Sequence, residues 1–138
     1  MREHRFTALY PFGGLGGGAH GQARCRAQLL GQSGKIEPIG GIDFDANACA
    51  DFEYLTDAPA WATDVLGIKA WDLRHRYGCS APDFVFLSPP CKGASGLLSA
   101  EKAATEKYKL MNQLALVWMR VMLEAWGERP PKFVLIEN

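Results

Sequence analysis

The chain has 138 residues, and 48% of them are hydrophobic, which suits one compact domain with a buried core. Its 15 basic and 15 acidic residues cancel, which excludes a protein that holds nucleic acid through a strongly basic surface and leaves room only for local contacts. The 4 cysteines form neither a CxxC pair nor a dense framework, which excludes a small disulfide-bonded secreted fold and favours free thiols in a reducing cytoplasm.

The pattern of apolar residues predicts strands and helices in alternation. Taken in chain order, strands are predicted over short apolar runs at residues 6–12, 36–44, 61–65, 84–87 and 133–136. Helices are predicted between them, at residues 22–31, 47–55, 68–77 and 101–126. The longest uninterrupted apolar run covers residues 114–119 and is too short to cross a bilayer, so we expect no membrane segment.

This alternation predicts an α/β fold, with residues 1–138 forming a single domain around a parallel, doubly wound sheet of about five strands. Sheets of this kind bind ligands beyond the carboxyl ends of their strands, where the strand order reverses. Residues capable of chemistry follow the predicted strands in turn. They are a glycine cluster at residues 13–21, then Asp43, Asp64, Cys91 and Glu137.

The glycine cluster contains a GxGxxG string that runs from Gly16 to Gly21. Because glycine lacks a Cβ atom, such a loop can turn sharply and approach a ligand closely. The string favours a nucleotide-type cofactor over a purely structural turn. It would also suit a dinucleotide fold, since Asp43 lies at the spacing expected for an acid on a ribose hydroxyl.

Two neighbouring acids close the second predicted strand. Asp43 is our candidate for the ribose hydroxyls, with the ring of Phe44 packing on an adenine. Asp45 precedes a helical segment and is interpreted as its N-cap.

A further acid closes the third strand. Asp64 is our candidate acceptor for the adenine exocyclic amine, with Val65 beside the base. Asp72 competes for this role, but it falls within a predicted helix, so Asp64 is preferred.

Cys91 follows two prolines at the end of the fourth strand. The prolines fix φ and remove two backbone donors, which makes a stiff turn that presents the next side chain. An inert buried thiol is the usual state of a free cysteine. Cys91 instead opens a glycine-containing stretch beside Lys92, whose charge favours the thiolate, so a nucleophile is predicted.

Glu137 closes the apolar fifth strand. It could be a solvated carboxylate near the chain end. A carboxyl group in the ligand crevice could instead keep a raised pKa and hydrogen-bond a heteroaromatic ring nitrogen.

In this order, the motifs resemble those of the DNA cytosine-C5 methyltransferases, from about Leu9 to the last residue. The segment Phe12-Gly13-Gly14-Leu15-Gly16-Gly17 is similar to the family's cofactor loop. The segment Pro89-Pro90-Cys91 is similar to its nucleophile motif, and Glu137-Asn138 to the start of its Glu-Asn-Val motif. One departure is that Tyr10-Pro11 replaces the acidic residue usual just before the loop.

The resemblance implies a Rossmann-like fold that binds S-adenosylmethionine, with no metal. The implied cofactor-binding residues are Phe12, Gly14, Leu15, Gly16, Gly17, Asp43, Phe44, Asp64, Val65 and Pro90. The implied catalytic residues are Cys91, which adds to C6 of a cytosine flipped out of DNA, and Glu137, which hydrogen-bonds N3 while C5 takes the methyl group.

Family members continue with an arginine motif, a target-recognition region and segments that complete the sheet, none of which follows Asn138. We therefore expect the N-terminal part of an enzyme, with its last strand exposed, weak or no activity alone, and a missing C-terminal half or a second subunit as partner. The expected location is the cytoplasm or the nucleoid.

Three alternatives stay open. An amino-methyltransferase acting on adenine N6 or cytosine N4 also carries a Pro-Pro motif after this strand, but an aromatic residue follows the prolines there. A non-catalytic nucleotide-binding module would hold NAD in the glycine loop. An RNA substrate would use a similar nucleophile.

Overall fold

The computed structural model describes residues 3–90 and 106–137. The strands are β1 (Glu3–Pro11), β2 (Ala27–Leu29), β3 (Gln32–Asp43), β4 (Ala60–Ala62), β5 (Phe84–Leu87) and β6 (Phe133–Ile136). The helices are α1 (Gly17–Arg24), α2 (Ala46–Thr56), α3 (Ala70–Tyr77) and α4 (Glu106–Trp126), with one 3₁₀ turn at Val65–Gly67. No helix in this described part is both long and apolar enough to span a membrane.

The strands form one sheet in the order β2-β3-β1-β5-β6, with β4 also pairing with β3. All pairings are parallel except the short antiparallel pairing of β2 with β3. From β1 the chain first adds β3 on one side and later returns to add β5 on the other. The strand order therefore reverses at β1, as in doubly wound sheets, and the predicted fold class is confirmed.

The helix predicted over residues 22–31 is wrong. Helix α1 begins earlier and ends at Arg24, and Ala27–Leu29 pairs with the start of β3. Leu30 and Gly31 both have positive φ, 48° and 77°, which is the geometry of a two-residue hairpin turn. The glycine interpreted as a helix stop is thus a turn residue, and strand pairing overrides the helix propensity of this segment.

Helices cover both faces of the sheet. On one face, Leu9 of β1 and Val85 of β5 belong to a core that includes Trp118 and Met122 of α4. On the other face, a second core joins the sheet to α1 and α2 through Ala8, Tyr10, Ala19 and Phe52. The alternation of Ala8, Leu9 and Tyr10 between the two cores follows from the two-residue period of a strand.

Phe52 of α2 packs against three glycines of the loop and of β3. A Cβ atom at Gly41 would lie 2.8 Å from its ring, and one at Gly16 would lie 2.9 Å from it. A Cβ atom at Gly13 would lie 3.3 Å from the same ring and 2.8 Å from a backbone oxygen of Tyr10. Gly16 also has φ of 89°, which side-chain-bearing residues rarely adopt. Packing beneath the loop therefore requires glycine at these positions.

Strand β6 lies at one end of the strand order, as expected for the fifth predicted strand. Three of its apolar side chains stay about half exposed: Phe133 at 56%, Leu135 at 45% and Ile136 at 55%. An apolar strand with this exposure presents a surface on which another chain segment can pack.

Asp83 joins three strands at the amino end of β5. Its Oδ2 accepts hydrogen bonds from the backbone N–H (2.8 Å) and the hydroxyl (3.1 Å) of Thr7 in β1, and its Oδ1 accepts one from Lys132 Nζ (2.6 Å) before β6. Burial opposes ionisation of this carboxyl, but the hydrogen bonds from Lys132 and Thr7 outweigh it and lower the pKa of Asp83.

We expect Asp83 to make the protein acid-sensitive. Because its folded pKa lies below the unfolded value, its contribution is complete above about pH 4 and disappears as the pH falls through the folded pKa. Urea unfolding of Asp83→Asn at pH 7 should show a free energy of unfolding about 1–3 kcal/mol below that of the wild type. The difference should shrink towards pH 3. Asp51→Asn, on the exposed side of α2, is the matched control, and an equal loss at both pH values would contradict this role.

Alanine should have opposite effects on stability at two glycines, one that contacts Phe52 and one that does not. Gly16→Ala should destabilise the protein by about 2 kcal/mol or more, because it combines a clash with a strained φ. Gly21→Ala lies in α1 with open space around the added methyl group, so it should stabilise the protein by about 0.5–1 kcal/mol. Thermal unfolding followed by circular dichroism measures both, and a neutral Gly16→Ala would contradict the packing described.

Candidate active site

The segments that follow β1, β5 and β6 lie side by side at the carboxyl edge of the sheet. The backbone N–H of Ser88 donates to the carbonyl of Pro11 at 3.4 Å, and the N–H of Glu137 donates to the carbonyl of Leu87 at 2.8 Å. Glu137 is exposed, and its hydrogen bond to Leu87 places it beside the start of the Ser88-Pro89-Pro90 segment. Cys91 and Asn138 lie outside the described residues.

The glycine loop leaves β1 at the same edge. Phe12 and Gly14 have positive φ, 57° and 51°, so the chain turns tightly before α1 begins. The N–H of Gly13 donates to the carbonyl of Ile42 in β3 at 3.1 Å. A Cβ atom at Gly14 or Gly17 would meet nothing within 4 Å, so the space above these residues is open.

Asp43 fastens the loop to the end of β3. Its Oδ2 accepts a hydrogen bond from the N–H of Gly14 at 2.9 Å, and its Oδ1 accepts one from the N–H of Asp45 at 3.1 Å. Its backbone carbonyl accepts from the N–H of Thr63, just after β4, at 2.8 Å. The residue predicted to bind ribose therefore also contacts the loop.

Of the two residues after Asp43, Asp45 has the predicted role of a helix N-cap. Asp45 caps α2, since its carboxylate accepts from the N–H groups of Asn47 at 2.9 Å and Ala48 at 3.3 Å. Phe44 is 78% exposed. An aromatic ring this exposed at a ligand edge can pack on a flat base.

Asp64 and Val65 end up in different surroundings. Asp64 is exposed and accepts a hydrogen bond from the N–H of Leu66 at 2.9 Å, at the start of the 3₁₀ turn. Val65 is only 5% exposed and belongs to the core, so its side chain offers a ligand little surface. Asp72, the competitor, accepts from the backbone N–H of Lys69 at the start of α3.

Sequence reasoning missed the part played by Tyr10. Its buried hydroxyl donates to Gln22 Oε1 of α1 at 2.8 Å, and burial raises its pKa. Tyr10 stands where the resembled family usually has an acidic residue before the loop, and its hydroxyl links α1 to the sheet. Alternation along β1 indicates that Tyr10 faces the helices, but nothing in the pattern identifies Gln22 as its partner.

These residues fit an adenosine-type cofactor. The open space above Gly14 and Gly17 leaves room for close approach, the carboxylates of Asp43 and Asp64 can accept from hydroxyl and amine groups, and Phe44 offers a ring face.

Known proteins resemble the chain in structure rather than in sequence. No family model matches it, and no curated protein matches it in sequence. A DNA modification methyltransferase encoded within an E. coli prophage matches with a TM-score of 0.67 and 20% identity, over 96% of this chain and 32% of that one. The S. pombe Dnmt2 methyltransferase matches with a TM-score of 0.61 and 18% identity, over 97% and 34%.

A third structure, the Entamoeba histolytica methyltransferase EhMeth, matches with a TM-score of 0.67 and 16% identity, over 97% of this chain and 38% of that one. The chain spans about a third of the length of each of these structures. The resemblance that the motifs indicate is confirmed at the level of the fold: the chain has the Rossmann-like fold of these methyltransferases.

Proposed function

We propose that the chain is the cofactor-binding and catalytic part of a DNA cytosine-C5 methyltransferase, which transfers a methyl group from S-adenosylmethionine to C5 of cytosine. One observation carries the proposal. The glycine loop, the Ser88-Pro89-Pro90 segment and Glu137 come from three separate parts of the sequence, yet they lie side by side at one sheet edge. The Ser88–Pro11 and Glu137–Leu87 hydrogen bonds join them.

The chain's own residues supply the covalent chemistry. The thiolate of Cys91 adds to C6 of cytosine, and the C5–C6 electron pair becomes available for attack from C5. The carboxyl group of Glu137 hydrogen-bonds N3 and stabilises the charge that develops on the ring. When C5 has taken the methyl group, it loses its proton, and elimination of Cys91 restores the C5–C6 double bond.

S-adenosylmethionine, when bound, supplies an electrophilic methyl group on a sulfonium ion. Asp43 would accept hydrogen bonds from the ribose hydroxyls, Phe44 would pack on the adenine, and Asp64 would accept from the exocyclic amine. The loop residues Phe12 to Gly17 and Pro90 would border the rest of the cofactor. No metal takes part in this scheme.

The base must leave the DNA helix to reach Cys91, because a stacked cytosine gives a thiolate no access to C6. The chain spans about a third of the length of the similar methyltransferase structures, so we assign specific reading of the target to a further segment or subunit. The half-exposed apolar side chains of β6 offer such a partner a surface.

Trapping with 5-fluorocytosine tests the proposal. Fluorine at C5 cannot leave as a proton does, so the Cys91–C6 bond should persist after methyl transfer. A single-stranded oligonucleotide is the suitable probe, since its base need not be extracted from a duplex. With S-adenosylmethionine present, peptide mass spectrometry should find the adduct on Cys91, even if only a small fraction of the protein reacts.

Cys91→Ser should abolish the adduct, whereas Cys79→Ser, which removes an exposed thiol between α3 and β5, should keep it. A protein that binds S-adenosylmethionine but forms no adduct would contradict the proposal and favour an amino-methyltransferase. Faster trapping on a 5-fluorocytosine RNA of the same sequence would move the proposed substrate from DNA to RNA.

A further inference from the structure

We propose that Asp43 is a positioning residue that holds the cofactor loop in its binding conformation before the cofactor arrives, separately from its contact with ribose. The inference rests on the proposed function only for the identity of the ligand. The two hydrogen bonds that carry it, from the N–H of Gly14 to Oδ2 and from the N–H of Asp45 to Oδ1, lie within the chain and involve no ligand atom.

The loop needs such a restraint. Glycine loses more conformational freedom on folding than any other residue, and this loop has glycine at four of the five positions from Gly13 to Gly17. Phe12 and Gly14 also adopt positive φ, which is unfavourable for Phe12. A charge-assisted hydrogen bond to the N–H of Gly14 fixes the middle of this turn.

Asp43 is itself well anchored. It ends β3, where it pairs with Ala62 of β4, and its carbonyl accepts from Thr63 at 2.8 Å. The neighbouring Ile42 pairs with Pro11 of β1 and accepts from Gly13 at 3.1 Å. The carboxylate therefore extends from a paired strand end towards a loop that consists mostly of glycine.

Positioning and ribose binding are compatible. A carboxylate has about four acceptor positions, two on each oxygen. Backbone N–H groups fill one on each oxygen, which leaves one on each for the two hydroxyls of a ribose. Removal of the carboxylate should therefore weaken binding even of a ligand that has no ribose hydroxyls.

The test compares Asp43→Asn with the wild type and with Asp51→Asn. Amide hydrogen exchange at Gly14, measured by NMR without cofactor, should be about tenfold faster in Asp43→Asn than in the other two proteins. The asparagine side chain keeps one acceptor oxygen, but its NH₂ group then faces one of the two backbone N–H donors and cannot accept a hydrogen bond from it. If this variant does not fold, Asp43→Glu keeps the charge and displaces the oxygens, and it should also speed the exchange.

Binding is measured with S-adenosylhomocysteine and with its 2′,3′-dideoxy counterpart. Wild type should prefer the first, and Asp43→Asn should bind the dideoxy compound about tenfold more weakly than wild type does. If Asp43 acts through ribose alone, wild type and variant would bind the dideoxy compound equally and exchange at Gly14 would not change, which overturns the inference. Failure of wild type to bind either compound would count against the proposed cofactor, while the exchange measurement would still decide the positioning role.

Discussion

The ring of Phe52 is the constraint on which the candidate site depends. It lies beneath the glycine loop and β3 at once, so neither Gly16 nor Gly41 can carry a side chain. Above the loop, Gly14 and Gly17 face open space. The glycine loop thus meets two demands: close packing on Phe52 from below and close approach of a ligand from above. Helix α2 supplies Phe52, and its N-cap Asp45 lies two residues after Asp43. The helix therefore supports the loop from below, and its N-terminus lies next to the residue that hydrogen-bonds the loop.

The reversal of strand order at β1 turns this local packing into a site. Because β3 and β5 flank β1, their carboxyl ends bring Asp43 and the Ser88-Pro89-Pro90 segment to opposite sides of the loop. Strand β6 then adds Glu137 next to that segment. In the proposed function, the cofactor binds on the β3 side and the base reacts on the β5 side, so that the two bound molecules meet above the loop. Asp83, Thr7 and Lys132 join β1, β5 and β6 at the opposite end and keep these strands in register.

Much of this arrangement could be predicted from residue order. Strand and helix alternation indicates a doubly wound sheet, and such sheets collect strand-end residues at one edge. The pattern therefore predicts the positions of Asp43, Asp64 and Glu137 at that edge. The β2–β3 hairpin could not be predicted in this way, because its residues also have helix propensity and only pairing with β3 decides between helix and strand. The Tyr10–Gln22 and Asp43–Gly14 hydrogen bonds depend on how α1 and the loop pack in three dimensions, which periodicity does not encode. The burial of Val65 has the same origin, since the chain enters a 3₁₀ turn where an extended strand is predicted.

Calorimetry with S-adenosylmethionine and with NAD tests the central claim most directly, because the loop pattern alone suits both. The described site predicts binding of S-adenosylmethionine with a Kd on the order of micromolar, weakened in Phe44→Ala, and no heat with NAD under the same conditions. Binding of NAD in preference to S-adenosylmethionine would contradict the account and indicate a nucleotide-binding module. Binding of neither ligand by a cooperatively folded protein would contradict the claim that this chain carries a cofactor site of its own.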